Sequence, residues 1–180
     1  MINYINSMNK ILLISCFLFF SMNASAQFDY QRLTEDGRLV FKGECKFEDL
    51  LKEPTFDWMQ KGMNEYTPDS ASLLFLKKNL AQYDIVVMMG TWCGDTKDLL
   101  PKFYKTLQMA NYPLLQLTMY GLNRKKEALN YEEQLYKVKN IPVFILFKNH
   151  KEIGRITESV EQSIEKDLVK LVKKEIEGGK

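Results

Sequence analysis

Long apolar runs, cysteine and an excess of one charge are all scarce in this 180-residue chain. The longest apolar run, Ile11 to Phe20, falls short of the roughly 18 residues that cross a bilayer as a helix, which excludes the multi-span membrane classes. Lys plus Arg number 25 against 23 Asp plus Glu, so the chain has no general attraction for nucleic acid or an anionic membrane surface. The run Arg124-Lys125-Lys126 is too short to change that and reads as a solvated loop. Three cysteines, Cys16, Cys45 and Cys93, cannot staple a disulfide scaffold. With one histidine, His150, and no C-x-x-C or H-x-x-x-H spacing, no metal site is supported. Gly90 and Gly94 lack phosphate-loop spacing, so no nucleotide cofactor is expected. What is present, 46% hydrophobic and 27% charged residues without repeats or low-complexity linkers, is the composition of one globular domain.

Residues 1–26 carry a single charge, Lys10, followed by the short apolar run and by Ala24-Ser25-Ala26. This reads as a signal peptide cut before Gln27, and it places the protein outside the cytoplasm, periplasmic or secreted, with no stable membrane insertion after cleavage. A retained anchor and a lipidated Cys16 are the alternatives. Removing Lys10 leaves 24 basic against 23 acidic residues, and only two thiols.

Residues 27–66 read as an N-terminal extension. It holds a strand over residues 38–43 after an Asp36-Gly37 turn, and helical pieces over 47–51 and 56–63 broken by Pro54. Phe56, Trp58, Met59 and Tyr66 form either a binding face or, more simply, packing. A second region, 67–177, opens at Thr67-Pro68-Asp69-Ser70, where a capping hydroxyl precedes a proline at the first helical position. A helix should run from there to about Gln82. Ile85 to Met89 reads as a buried strand, and Leu99 to Ala110 repeats at helical spacing with Pro101 as a kink. Then follow a strand over 114–120, a short helix over 126–136, a hairpin with strands at 143–147 and 153–157, and an amphipathic helix from Val160 to Ile176. His150 falls at the hairpin tip. The order predicts an α/β fold with a mixed sheet and helices on both faces.

Cys93 sits where the strand turns into a helix. Unpaired backbone N–H groups and the positive end of the helix dipole favour thiolate there, so Cys93 is the candidate nucleophile. Asp95, two residues on, opposes this if its charge faces the sulfur, and otherwise serves as a first-turn helix stabiliser. Trp92 is either packing or a substrate platform.

The run Trp92-Cys93-Gly94-Asp95-Thr96-Lys97, with Pro101 eight residues after the cysteine and Asn140-Ile141-Pro142-Val143-Phe144 downstream, resembles the thioredoxin superfamily, and exported bacterial thioredoxin-like proteins within it. The resemblance covers about residues 84–172. It implies a thioredoxin fold with a central mixed sheet flanked by helices on both faces. It also implies Cys93 as the attacking thiol, Trp92 beside it, and a cis peptide at Ile141-Pro142 that holds an extended substrate backbone. Protein thiols or disulfides are the implied partners.

Two departures bear on turnover. The superfamily's second cysteine is Thr96 here, and the acidic residue many members carry in the central strand is Val87. A hydroxyl cannot resolve a mixed disulfide, so Cys93 would need an external thiol or reductant, while Thr96 can still hydrogen-bond the Cys93 thiolate. Cys45 is either a buried inert residue, a resolving thiol that reaches Cys93, or an exposed intermolecular thiol. Two functions follow: single-cysteine thiol–disulfide exchange on protein disulfides, or a redox-inactive thioredoxin-fold binding or assembly module.

Overall fold

The computed structural model describes residues 30–178; the expected leader, 1–26, lies outside the described residues. Strands β1 (Tyr30–Glu35) and β2 (Arg38–Glu44) form a hairpin in full register from Tyr30↔Gly43 to Glu35↔Arg38. Asp36 and Gly37 turn it with φ of 49° and 70°, the paired positive values that two-residue hairpins need. Strand β2 and the turn lie where the sequence pattern puts them, while β1 has no counterpart in that pattern.

Helices α1 (Phe47–Leu51) and α2 (Asp57–Glu65) follow, separated by a single tight turn at Pro54–Phe56. Helix α3 (Ser70–Asn79) begins later than the Thr67-Pro68 signal suggested, because Asp69 is the cap: its carboxylate accepts the Ser72 N–H at 2.8 Å. Strand β3 (Asp84–Met89) leads into α4 (Gly94–Met109), which carries Pro101 inside it against Gly62 of α2.

Strand β4 (Leu117–Gly121) is shorter than expected, since Leu114–Gln116 winds into a turn after Pro113 and leaves Leu115 fully exposed. The helix expected over 126–136 shrinks to α5 (Glu132–Leu135). Lys126 and Tyr131 both take φ of 63°, a left-handed conformation that a helix cannot include. Strands β5 (Val143–Lys148) and β6 (Lys151–Thr157) form the predicted hairpin, with Asn149 and His150 exposed at its tip. Helix α6 (Ile164–Gly178) closes the described chain.

The six strands lie in the order β1-β2-β4-β3-β5-β6, with β3 and β4 parallel and every other pair antiparallel. The period of two divides the central strands cleanly. Ile85, Val87, Met89, Phe144 and Leu146 enter one buried cluster, while Val86, Met88, Val143 and Ile145 enter a second on the opposite face. The first cluster is roofed by α1, α2, α3, α4 and α6 through residues such as Leu50, Met59, Leu76, Phe103 and Leu168. The second is covered by segment 122–142 with the four-residue α5. Helices therefore flank the mixed sheet on both faces, but unequally.

Residues 30–66 share this sheet and core. Phe56 and Met59 are buried and Trp58 and Tyr66 pack against the same cluster, so these aromatics pack rather than form a separate face. Glu165, 3% exposed, ties this region to α6: its carboxylate accepts from Tyr66 Oη at 2.5 Å, Ser163 Oγ at 2.6 Å and the Asp69 N–H at 3.1 Å. Burial works to raise its pKa, yet these three donors hold it below the usual carboxylate value.

Candidate functional site

Strand β3 ends at Met89, and the next four residues form a tight loop whose geometry delivers Cys93 to the helix start. The Cys93 N–H donates to Gly90 O at 2.9 Å, and Cys93 O accepts the Lys97 N–H at 3.2 Å, so Cys93 is the N-cap residue of α4 with φ −80° and ψ 132°. Its side chain makes no capping hydrogen bond and stays half-buried. Cys93 thus stands at the end of α4 where the first-turn N–H groups lack helical acceptors.

The Ile141–Pro142 peptide is cis, and Cys93 Sγ lies 3.6 Å from Ile141 O, close enough for the thiol to donate to that carbonyl. Both Ile141 and Pro142 are buried. The loop that carries them is held on either side. Lys126 Nζ donates to Lys139 O at 2.9 Å and Asn140 Oδ1 at 3.1 Å; Asn140 Nδ2 donates to Glu158 at 2.9 Å; and the Glu158 N–H returns to Pro142 O at 2.9 Å.

Trp92 is half-buried, and its Nε1 donates to Leu122 O at 2.9 Å, which fixes the indole against the second cluster. Gly90 is necessary at its position. A Cβ there would stand 2.8 Å from Ile141 Cδ1 and 2.8 Å from the Trp92 ring, well inside van der Waals contact.

Thr96 is fully buried, and its Oγ1 accepts the Gly90 N–H at 3.3 Å. The hydrogen bond expected from Thr96 to the Cys93 sulfur is not formed among the described residues. The first turn of α4 points this hydroxyl back at the loop, so it braces Gly90 instead. Asp95 is exposed in that same turn, the position where a carboxylate meets the helix dipole. Val87 is fully buried in the larger cluster.

Cys45 is 2% exposed, with its N–H on Met119 O at 2.9 Å. It belongs to the helix-covered cluster, whereas Cys93 packs against the cluster on the other face, and both are free thiols. The sheet separates them, so Cys45 is not placed as a resolving thiol. Burial pushes its ionisation far above the usual thiol range, which makes it inert.

Several residues around Cys93 were not singled out from sequence: Gly90, Thr91, Arg124, Asp36 and the Lys126–Glu158 brace. Thr91 is buried and its Oγ1 donates to Leu39 O at 3.1 Å, and Arg124 stacks on Trp92 with its guanidinium carbon 5.4 Å from the ring centroid. The only available signal was the basic run 124–126, which composition alone assigns to solvent.

Comparison with known proteins agrees with this architecture. The family model for thioredoxin matches residues 75–174, more than half of the chain. Similar solved structures include a protein of unknown function from Pseudomonas aeruginosa, at 16% identity and a TM-score of 0.47 over 69% of this chain and 82% of that one. Thioredoxin from Fasciola hepatica is 17% identical, with a TM-score of 0.37 over 56% of this chain and 88% of that one. Thioredoxin O2 from Arabidopsis thaliana in its oxidized state is 15% identical, with a TM-score of 0.37 over 58% and 83%. No curated protein matches the chain.

Proposed function

Because this chain belongs to the thioredoxin family, we propose that it carries out thiol–disulfide exchange on protein disulfides with Cys93 as its single reacting thiol. The observation that carries this reading is the placement of Cys93: half-exposed at the N-cap of α4, with its sulfur 3.6 Å from the carbonyl that precedes cis Pro142.

In the exchange, the Cys93 thiolate attacks one sulfur of a substrate disulfide. A Cys93–substrate S–S bond forms, the substrate S–S bond breaks, and the departing sulfur leaves as a thiolate. With Thr96 at the position of the second cysteine and Cys45 across the sheet, release falls to an external thiol. Its thiolate attacks the substrate sulfur of the mixed disulfide and frees Cys93 as thiolate, so that the substrate sulfur ends in a disulfide with the external thiol and no net oxidation occurs at the protein. Trp92 and the Ile141–Pro142 segment supply the walls against which an extended substrate strand aligns. Lys10, the apolar run after it and Ala24-Ser25-Ala26 support export of the chain before it meets such disulfides. N-terminal sequencing of the mature protein should begin at Gln27, and a mature chain that begins at Met1 and stays in the cytoplasmic fraction would overturn export.

The test is trapping of a mixed disulfide between the reduced protein and a peptide disulfide, read by mass. Wild type and Cys45→Ser should form the adduct and release it on addition of a small thiol, whereas Cys93→Ser should form none. Equal exchange by Cys93→Ser would refute the proposal. Absence of exchange by wild type, with partner binding retained in Cys93→Ser, would favour a binding or assembly module instead.

A further inference from the structure

Strand β2 meets β4 only at Gly43↔Gly121 and Glu44↔Tyr120, while β3 meets β4 through Met89↔Gly121. Residues 38–42 of β2, with β1 alongside, therefore run past the C-terminal end of β4, the same end from which the Cys93 loop departs. The tip of this hairpin lies outside the stretch matched by the family model, yet it touches the site three times. Leu39 O accepts from Thr91 Oγ1, Glu35 Oε2 accepts the Arg124 N–H at 2.9 Å, and Asp36 Oδ2 lies 2.9 Å from Arg124 Nε.

Resting on the exchange reading above, we propose that Arg124 is a specificity determinant of the Cys93 site, and that it selects disulfide substrates bearing a carboxylate beside the reacting cysteine. Asp36 lies nearest to Nε, and Glu35 engages only the backbone. Among the described residues neither Nη group donates a hydrogen bond, so the guanidinium keeps four N–H donors in a planar fork beside the Asp36 pair. That fork is held over the indole of Trp92, the residue next to the nucleophile. A carboxylate is the group whose two oxygens match it. Lys126 does not duplicate it, because its Nζ is already engaged by Lys139 O and Asn140 Oδ1.

The experiment uses three peptide disulfides identical except for Glu, Gln or Lys beside the reacting cysteine. Mixed-disulfide formation with the reduced full chain is timed for wild type, Arg124→Gln and Arg124→Glu. Each variant is read as its own Glu-to-Lys rate ratio, so that a general loss of rate cancels. Wild type should favour the Glu peptide about three- to fivefold, the size expected of an exposed charge pair, and less at high salt. Arg124→Gln should bring the ratio to about one, and Arg124→Glu should invert it. A wild-type ratio of one, or the same ratio in Arg124→Gln as in wild type, overturns the assignment and leaves the exchange reading standing. Failure of wild type to react even with the Gln peptide overturns the exchange reading and this assignment together.

Discussion

Gly90→Ala measures how tightly the walls of the Cys93 site are built. The added methyl would lie 2.8 Å from Ile141 Cδ1, Trp92 Cε2 and Trp92 Nε1, against an ordinary carbon contact of about 3.5–4.0 Å. About 1 Å of movement is required. The Ile141 methyl can rotate away, but the indole is tethered through Nε1 to Leu122 O and cannot retreat without losing that bond. Overpacking of this kind costs about 1–3 kcal/mol, which for a domain of this size lowers Tm by roughly 2–4 °C for each kcal/mol. The displaced Trp92 and Ile141 also misalign the peptide substrate, with a loss of about ten- to a hundredfold in exchange. Two other glycines calibrate the result. At Gly94 nothing lies within 4 Å, so Gly94→Ala should be neutral or stabilising by up to about 1 kcal/mol. At Gly121 the new Cβ would meet the backbone oxygen of Phe41 at 2.3 Å, and since backbone cannot swing aside, the cost should exceed about 3 kcal/mol. Urea unfolding of the three variants, with Trp92 emission and exchange rate, tests the order Gly94→Ala, wild type, Gly90→Ala, Gly121→Ala. A Gly90→Ala protein as stable and as active as wild type would refute the reasoning.

Cys45 should resist alkylation in the native protein at neutral pH, because burial keeps its thiol protonated. With its folded pKa above the unfolded value, the stability it contributes is full below about pH 8.5 and declines above it at up to roughly 1.4 kcal/mol per pH unit; unfolding of Cys45→Ala between pH 8 and 10 should lack that part of the slope. Glu165→Gln should cost about 1–2 kcal/mol at pH 7, since charge-assisted bonds from Tyr66, Ser163 and the Asp69 N–H become neutral ones. Its folded pKa is depressed, so the wild-type advantage is present above the unfolded carboxyl pKa of about 4.3 and is lost as pH falls through the folded value; an equal gap at pH 7 and pH 3 in urea titrations would contradict this. Thr96→Cys should make release of a mixed disulfide independent of external thiol concentration, because i and i+3 side chains of one helical turn are neighbours, and unchanged dependence on added thiol would count against the site geometry.

The central strands were legible because Ile85 to Met89 and Val143 to Phe147 are runs of β-branched and apolar residues, the pattern of strands buried on both faces. The hairpin β5–β6 and the turn at Asp36-Gly37 were legible from local turn chemistry. Strand β1 was not: Tyr30 to Glu35 is mostly polar and nowhere fully buried, and it is a strand because β2 offers it a partner. The helix expected over 126–136 failed for a similar reason. Its apolar spacing fits a helix, but Asn123 and Glu133 draw the N–H groups of Glu127 and Ala128 into a loop, and Lys126 and Tyr131 cross to positive φ.

Sequence alone marked Cys93 as the candidate nucleophile and set its neighbours in the chain. Cys93 is marked by local chemistry, at a strand-to-helix turn, whereas Trp92, Thr96, Ile141 and Pro142 are named by the resemblance that the runs Trp92 to Lys97 and Asn140 to Phe144 carry. Tertiary structure decided the rest. It set Cys45 across the sheet from Cys93, turned Thr96 toward Gly90 rather than the sulfur, and brought Asp36 to Arg124 over Trp92. Those relations depend on strand register, which is set by the packing of whole faces and can join residues from distant parts of the chain.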